Sequence, residues 1–260
     1  MLDLTEKTSL IVGPLNELAL GIAGSLREAG SRIVFAGAEA PTTKHAALDA
    51  EFFPVDLDDP KALTEQVNAL PTFHVAVFNP GWYAVGEFVD TTPAEWDEAI
   101  RQNFERMICA AQAAAGAMIE HGKGGRMIFV SSSAALIPLI QTSVAGTTLS
   151  ALGSVARMAA VDLGSHGITV NVVAAGWTET DWSRPYLHTE GRAFVEQGIP
   201  LGRLGGAHDV GALCCFLASD AAQYITGAII PVDGGYALTR SAGTSPYPAT
   251  VPGGQDLHKR

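Results

Sequence analysis

The chain has 260 residues, 47% of them hydrophobic and 17% charged, with a formal net charge of −11. That length and apolar content suit one large α/β domain burying about three quarters of its unfolded surface, and the acidic balance excludes nucleic acid and anionic membrane surfaces as expected partners. Cys109, Cys214 and Cys215 fall in apolar helical patterns without metal-ligand spacing, so neither a disulfide framework nor a metal site is expected. The opening MLDLTEKTSLIVG lacks the basic and apolar pattern of a secretion signal, and no run approaches transmembrane length. A cytoplasmic protein is therefore expected.

Short β-branched runs alternate with longer helical patterns. Strands are expected at 9–13, 32–36, 52–56, 75–79, 126–131, 168–173 and 228–232. Their alternation with helices implies parallel strands joined by right-handed crossovers, hence a single doubly wound α/β sheet of about seven strands flanked by helices. Thr92-Pro93-Ala94-Glu95 carries a capping box and a proline at the first position of a helix running toward Glu120. CAAQAAAGAM and ALGSVARMAAV are small and apolar around most of their circumference, which predicts contact with more than the sheet, and Ala114 and Ala151 are expected at a subunit contact. The domain is expected to occupy 1–240. From Ser241 the composition shifts to Pro, Gly, Ser and Thr, a tail that cannot build its own core.

The segment VSSSAALIPLIQTSVAGTTLSALGSVARMAAVDLGSHGITVNVVAAG, the turn through Gly13, Asn79-Pro80-Gly81 and the closing IPLGRLGGAHDVGALCCFLASDAAQYITGAIIPVDGGYAL together resemble the short-chain dehydrogenase/reductase family. The resemblance covers roughly residues 8–238. It implies a Rossmann-type sheet, a site at the strand carboxyl ends, alcohol–ketone interconversion with a nicotinamide dinucleotide, and usually a tetramer in which the two small-residue helices form an interface. Carried over residue by residue, it makes Ser132 the hydroxyl that orients a carbonyl and Asn103 the family's water-holding Asn. On the cofactor side it points to Gly13 for the tight turn, Asp56 and Leu57 for the adenine end, Asn79 and Gly81 after the fourth strand, and Gly176 and Thr180 beside the nicotinamide. Read from the residues alone, a Ser at a strand end also caps the next helix, and an Asn inside a helix also bonds a neighbouring carbonyl.

The chain departs from the family where the catalytic Tyr and Lys would stand, because those positions hold Ala145 and Leu149. Counting forward from Ser132 and back from Asn171 reaches the same register, and no tyrosine lies between Tyr83 and Tyr186. A phenol with a pKa of about 10 donates a proton at neutral pH only when a nearby cation lowers it. Ala145 has no proton to give and Leu149 no charge. Glu17 and Ala19 replace turn glycines, and Gly37 stands where a ribose-reading Asp would. A carboxylate at that turn opposes a pyrophosphate, unless as a first-turn Glu it swings into solvent. The expectation is that no nicotinamide nucleotide binds tightly, weak binding of NAD or NADP being the alternative.

Three functions fit these residues. The first is a non-catalytic or supporting subunit of a hetero-oligomeric NAD(P)-dependent alcohol or hydroxyacyl dehydrogenase, the chain being expected in a homo- or hetero-oligomer with an intact subunit of the family. The second is an oxidoreductase that holds its nucleotide weakly and takes a proton from water or substrate. The third is a non-redox lyase or dehalogenase-like enzyme whose acid–base groups come from GWTETDWSRPYLHTEG, which offers Glu179, Asp181, Tyr186 and His188. Trp82, Tyr83, Trp177 and Trp182 are candidates for an aromatic pocket or for packing.

Overall fold

The computed structural model describes residues 2–38, 48–187 and 189–239, and the expected tail at 241–260 and His188 lie outside them. Its strands are β1 (Thr8–Val12), β2 (Arg32–Gly37), β3 (Glu51–Pro54), β4 (Val75–Phe78), β5 (Gly125–Ser132), β6 (Ile168–Ala175) and β7 (Ile229–Val232). They form one parallel sheet in the order β3-β2-β1-β4-β5-β6-β7. The doubly wound sheet of seven strands expected from the alternation is thus present. β3 starts and ends earlier than expected and leaves Asp56 and Leu57 beyond the strand. Pro54 is tolerated because β3 lies at the sheet edge, where a missing donor breaks no central ladder.

The period of two along each strand feeds two cores. Leu10, Val12, Ala76, Phe78, Met127 and Phe129 point to one face, where they meet α2 (Pro60–Asn68), α4 (Arg106–His121) and α5 (Ser143–Leu163). Ile11, Ile33, Phe35, Val77, Ile128 and Val130 point to the other, covered by α1 (Glu17–Glu28) and α7 (Ala207–Ala218). Gly21 lets α1 and α7 meet closely, since a Cβ there would lie 2.2 Å from that of Ala207. β1 and β4 are neighbours whose connections run to opposite sides, so a cleft opens above their carboxyl ends.

The helix expected from Thr92 toward Glu120 is interrupted. The capping box of Thr92 and Glu95 starts α3 (Pro93–Ala99) as expected, but a π-helical turn, Ile100–Glu105, separates it from α4. No periodicity marked that turn. Ala114 was expected at a subunit contact, yet it is fully buried within the domain, as are most of α4's small residues. α4 packs against α2 and β4, which covers most of its apolar residues and leaves Ile119 39% exposed. One helical run, Ser143–His166, is long and apolar enough by length and composition to span a bilayer, contrary to the sequence reading. It lies along β5 and β6 with Leu152 and Ala156 fully buried.

Thr189–Gln197 forms α6, and Tyr236–Thr239 forms α8. Val195, Ile199, Leu204 and Tyr236 make a third, small core, with Leu139 and Trp177 packed against it. This lobe sits beside the carboxyl ends of the strands and supplies one wall of the cleft.

Candidate functional site

Gly13 ends β1 with φ +122°, a conformation L side chains rarely adopt, and a Cβ there would lie 2.2 Å from the Asn79 carbonyl. The turn entering α1 is therefore pressed onto the turn leaving β4. Asn16 caps α1 by accepting from the Ala19 N–H at 2.9 Å. Asn79, fully buried, donates from Nδ2 to Pro14 O and to Asn16 Oδ1 at 3.3 and 3.2 Å. Its Oδ1 has no partner among the described residues.

Above these turns lies a cavity of about 190 Å³. Ser132, Asn79, Gly81, Gly176 and Thr180 line it together with Glu17, Leu149, Trp82, Tyr83, Trp177 and Trp182. The structure thus brings most of the sequence-derived set to one place. Gly13 supports the cavity from beneath. Asp56 and Leu57 are not brought to it: Asp56 Oδ1 accepts from Asp58 N in a local turn, and Leu57 is buried in the core under α2. Asn103 is also spoken for. Its Oδ1 accepts from Trp82 N at 3.2 Å and its Nδ2 donates to Trp82 O and Thr148 Oγ1 at 2.8 and 3.2 Å, so the π turn uses it to fix Trp82 at the cavity wall.

Ser132 is the last residue of β5, and its Oγ accepts from Ala134 N at 3.2 Å while facing the cavity. Leu149 projects from α5 into the same space, and Ala145, one turn earlier, is fully buried. Of the loop residues offered as acid–base groups, Glu179 is paired with Arg192, whose hydrogen bond holds its carboxyl below the usual range. Asp181 is paired with Arg184. Tyr186 has its pKa raised by burial, which makes it a poorer acid. Among the described residues no group of His, Cys, Asp and Glu is arranged to hold a metal, and the three cysteines are free.

Arg184 is the residue sequence reasoning missed. From the short turn Arg184–Tyr186 it donates Nη2 to both carboxylate oxygens of Glu17, at 2.8 and 2.7 Å. The pair crosses the cavity mouth from the start of α1 to the loop after β6. Nothing in local spacing announces a contact spanning 167 positions. Trp182 lies edge-on to Tyr83 at a centroid distance of 4.5 Å and tilted against Trp177 and Tyr186 at 6.3 and 5.3 Å.

Residues 13–237 match the family model described as enoyl-(acyl carrier protein) reductase. Versicolorin reductase 1 of Aspergillus parasiticus is 31% identical over 89% of this chain and 97% of its own. L-Rhamnose 1-dehydrogenase (NAD(P)(+)) of Azotobacter vinelandii is 32% identical over the same shares, 89% and 97%. A putative 2-deoxy-D-gluconate 3-dehydrogenase of Agrobacterium tumefaciens, solved with bound NADP, superposes with a TM-score of 0.84 at 26% identity, covering 92% of this chain and 98% of its own. The expectation that no nicotinamide nucleotide is held tightly is corrected by that likeness to an NADP-bound structure. The physical error was to treat the Glu17 carboxylate as an uncompensated charge, when Arg184 neutralises it.

Proposed function

We propose, since the chain belongs to the short-chain dehydrogenase/reductase family, that it is a nicotinamide-nucleotide-binding subunit whose own cavity lacks the proton donor for carbonyl reduction and which supports an intact copy of the family in a mixed oligomer. The observation that carries this reading is Leu149 in the cavity wall with Ala145 one turn before it, beside Ser132. The residues present suit a dinucleotide: the Gly13 turn seats the start of α1 against the Asn79 turn, α1 begins at the cavity, and Asn79, Gly81, Gly176 and Thr180 border it. When bound, the nucleotide would supply hydride to a carbonyl carbon or accept it from the corresponding alcohol carbon. The chain's part is to hold it and to orient a carbonyl through Ser132, while the aromatic roof excludes water. Tyr83 and Tyr236 border the cavity, but among the described residues no lysine lines it beside them, so a proton for the developing alkoxide would have to come from elsewhere.

The test is to titrate NADP by calorimetry and to follow NADPH oxidation with a panel of ketones on the isolated protein. Saturable nucleotide binding is expected, with turnover lower than in ordinary family members by the roughly 100- to 10,000-fold that general acid catalysis contributes. Turnover at ordinary family rates by the chain alone overturns the reading.

A further inference from the structure

We propose that His74 makes the amino edge of the sheet a pH-sensitive clip, closed while its imidazole is neutral and opened when the ring takes up a second proton. The residue stands just ahead of β4, at the end of the strands away from the cleft, and it joins three of them. His74 N donates to Thr8 O at 2.8 Å and His74 O accepts from Arg126 N at 3.0 Å, so its main chain ties β4 to β1 and β5. The ring adds a further bond, because Thr8 N donates to Nδ1 at 3.1 Å. A backbone N–H can only donate, so Nδ1 must be bare and the proton of the neutral ring must sit on Nε2. β1 and β4 have only five and four residues and carry the Gly13 and Asn79 turns at their other ends. One bond at their start is therefore a sizeable share of what aligns them.

Protonation at Nδ1 turns the acceptor into a donor facing a donor. Thr8 is buried, so its N–H would be left without a partner away from bulk water. The new charge would also lack a counter-ion. Lys7 ahead of β1, His121 at the end of α4, Lys123 in the turn that follows and Arg126 at the start of β5 surround the ring with cationic or protonable groups. The nearby acid, Asp220, already accepts from Lys7 Nζ at 2.6 Å and from Arg126 Nη2 at 3.4 Å, and among the described residues no ion pair involves His74. Burial holds the ring's pKa below its usual value, and Lys123, Lys7 and His121 push it the same way. A depressed folded pKa means that the clip stabilises the fold fully above about pH 6.5, the value of an unfolded histidine. That contribution is lost as the pH falls from there through the folded pKa.

The experiment compares thermal melting of the full chain with that of His74→Asn and His74→Leu at about pH 8 and about pH 5, on either side of the histidine range. Asn Oδ1 stands as many bonds from the backbone as Nδ1, so it can accept from Thr8 N and does not titrate. The other histidines are common to every form and cancel in the differences. Parent and His74→Asn are expected to melt together at the higher pH and to part by roughly 2–4 °C at the lower, the parent melting first, the shift that loss of one hydrogen bond produces in a domain of this size. His74→Leu lacks the acceptor and should melt below His74→Asn by a similar amount at both. On the parent alone, NMR titration of the His74 ring should give a midpoint below about 6.5, and exchange protection of the Thr8 amide, corrected for intrinsic rate, should fall across that midpoint. A gap between parent and His74→Asn that is the same at both pH values overturns the inference. So does a His74 midpoint at or above that of a free histidine, a result that stands even where the variants do not fold.

Discussion

A carboxylate at the start of α1 and a guanidinium from the loop after β6 neutralise each other across the mouth of the cavity, where the phosphates of a dinucleotide would lie. Glu17→Gln should therefore leave Arg184 paired with Asp181 alone, remove one negative charge from that region and tighten NADP binding. Arg184→Ala should expose the Glu17 carboxylate and weaken it. Both side chains are partly exposed, at 30% and 47%, so each change is expected to be worth up to about 1 kcal/mol, roughly fivefold in affinity. Calorimetry on the two variants checks the signs, and an Arg184→Ala protein that binds NADP as tightly as the parent shows that the pair plays no part. Ser132, Asn79 and Gly81 were legible because each sits within a short motif at a strand end. Arg184 was not, because its meaning depends on a partner at the far end of the fold. Asn103 was legible as a residue but not as a bond: only the π turn shows that its amide is committed to Trp82.

Among the elements, α7 shows how one side chain can fix a helix start. Asp209 accepts from Gly206 N at 2.7 Å and from both terminal nitrogens of Arg203 at 2.9 Å. The Arg203 hydrogen bond, helped by the Gly206 N–H, lowers its pKa to about 2, below the roughly 3.9 of an unfolded chain. A depressed folded pKa means that the stabilisation is fully present above about pH 4 and is lost as the pH falls through about 2. Asp209→Asn should cost about 1 kcal/mol at pH 7, a figure reduced by the exposure of the pair. Thermal melts of the variant and parent should converge as the pH is lowered from 4 toward 2. A melting gap that stays constant over that interval contradicts the assignment. The Thr92 and Glu95 box was readable from four adjacent residues, whereas the α7 start needed Arg203, which the motif alone did not supply.

At the scale of the molecule, alternating β-branched and helical runs made the doubly wound sheet legible, because each run carries its own period. The lobe of Val195, Ile199, Leu204 and Tyr236 was not legible, since its core forms only when the loop after β6 meets the last helix. The same gap misassigned the outer surface. Two small-residue helices looked alike in sequence, but α2 covers α4, while α5 turns Met158 and Val161 outward at 63% and 78% exposure. Thr147, Ser150 and Ser154 are exposed at helical spacing from Met158, so the outward face of α5 combines small residues with uncovered apolar ones, the composition of a helix that packs closely on another. The expected outcome is assembly through α5, with a second copy or an intact family member covering Met158 and Val161. Val161→Arg should place a charge at the centre of that contact and split the assembly, with little effect on the melting of the subunit because Val161 is exposed within it. Mass photometry at micromolar concentration checks the oligomeric state. A parent protein that is monomeric there and recovers no family member when isolated from its native cells overturns the supporting-subunit reading, whereas a parent oligomer unaffected by Val161→Arg moves the contact elsewhere on the surface.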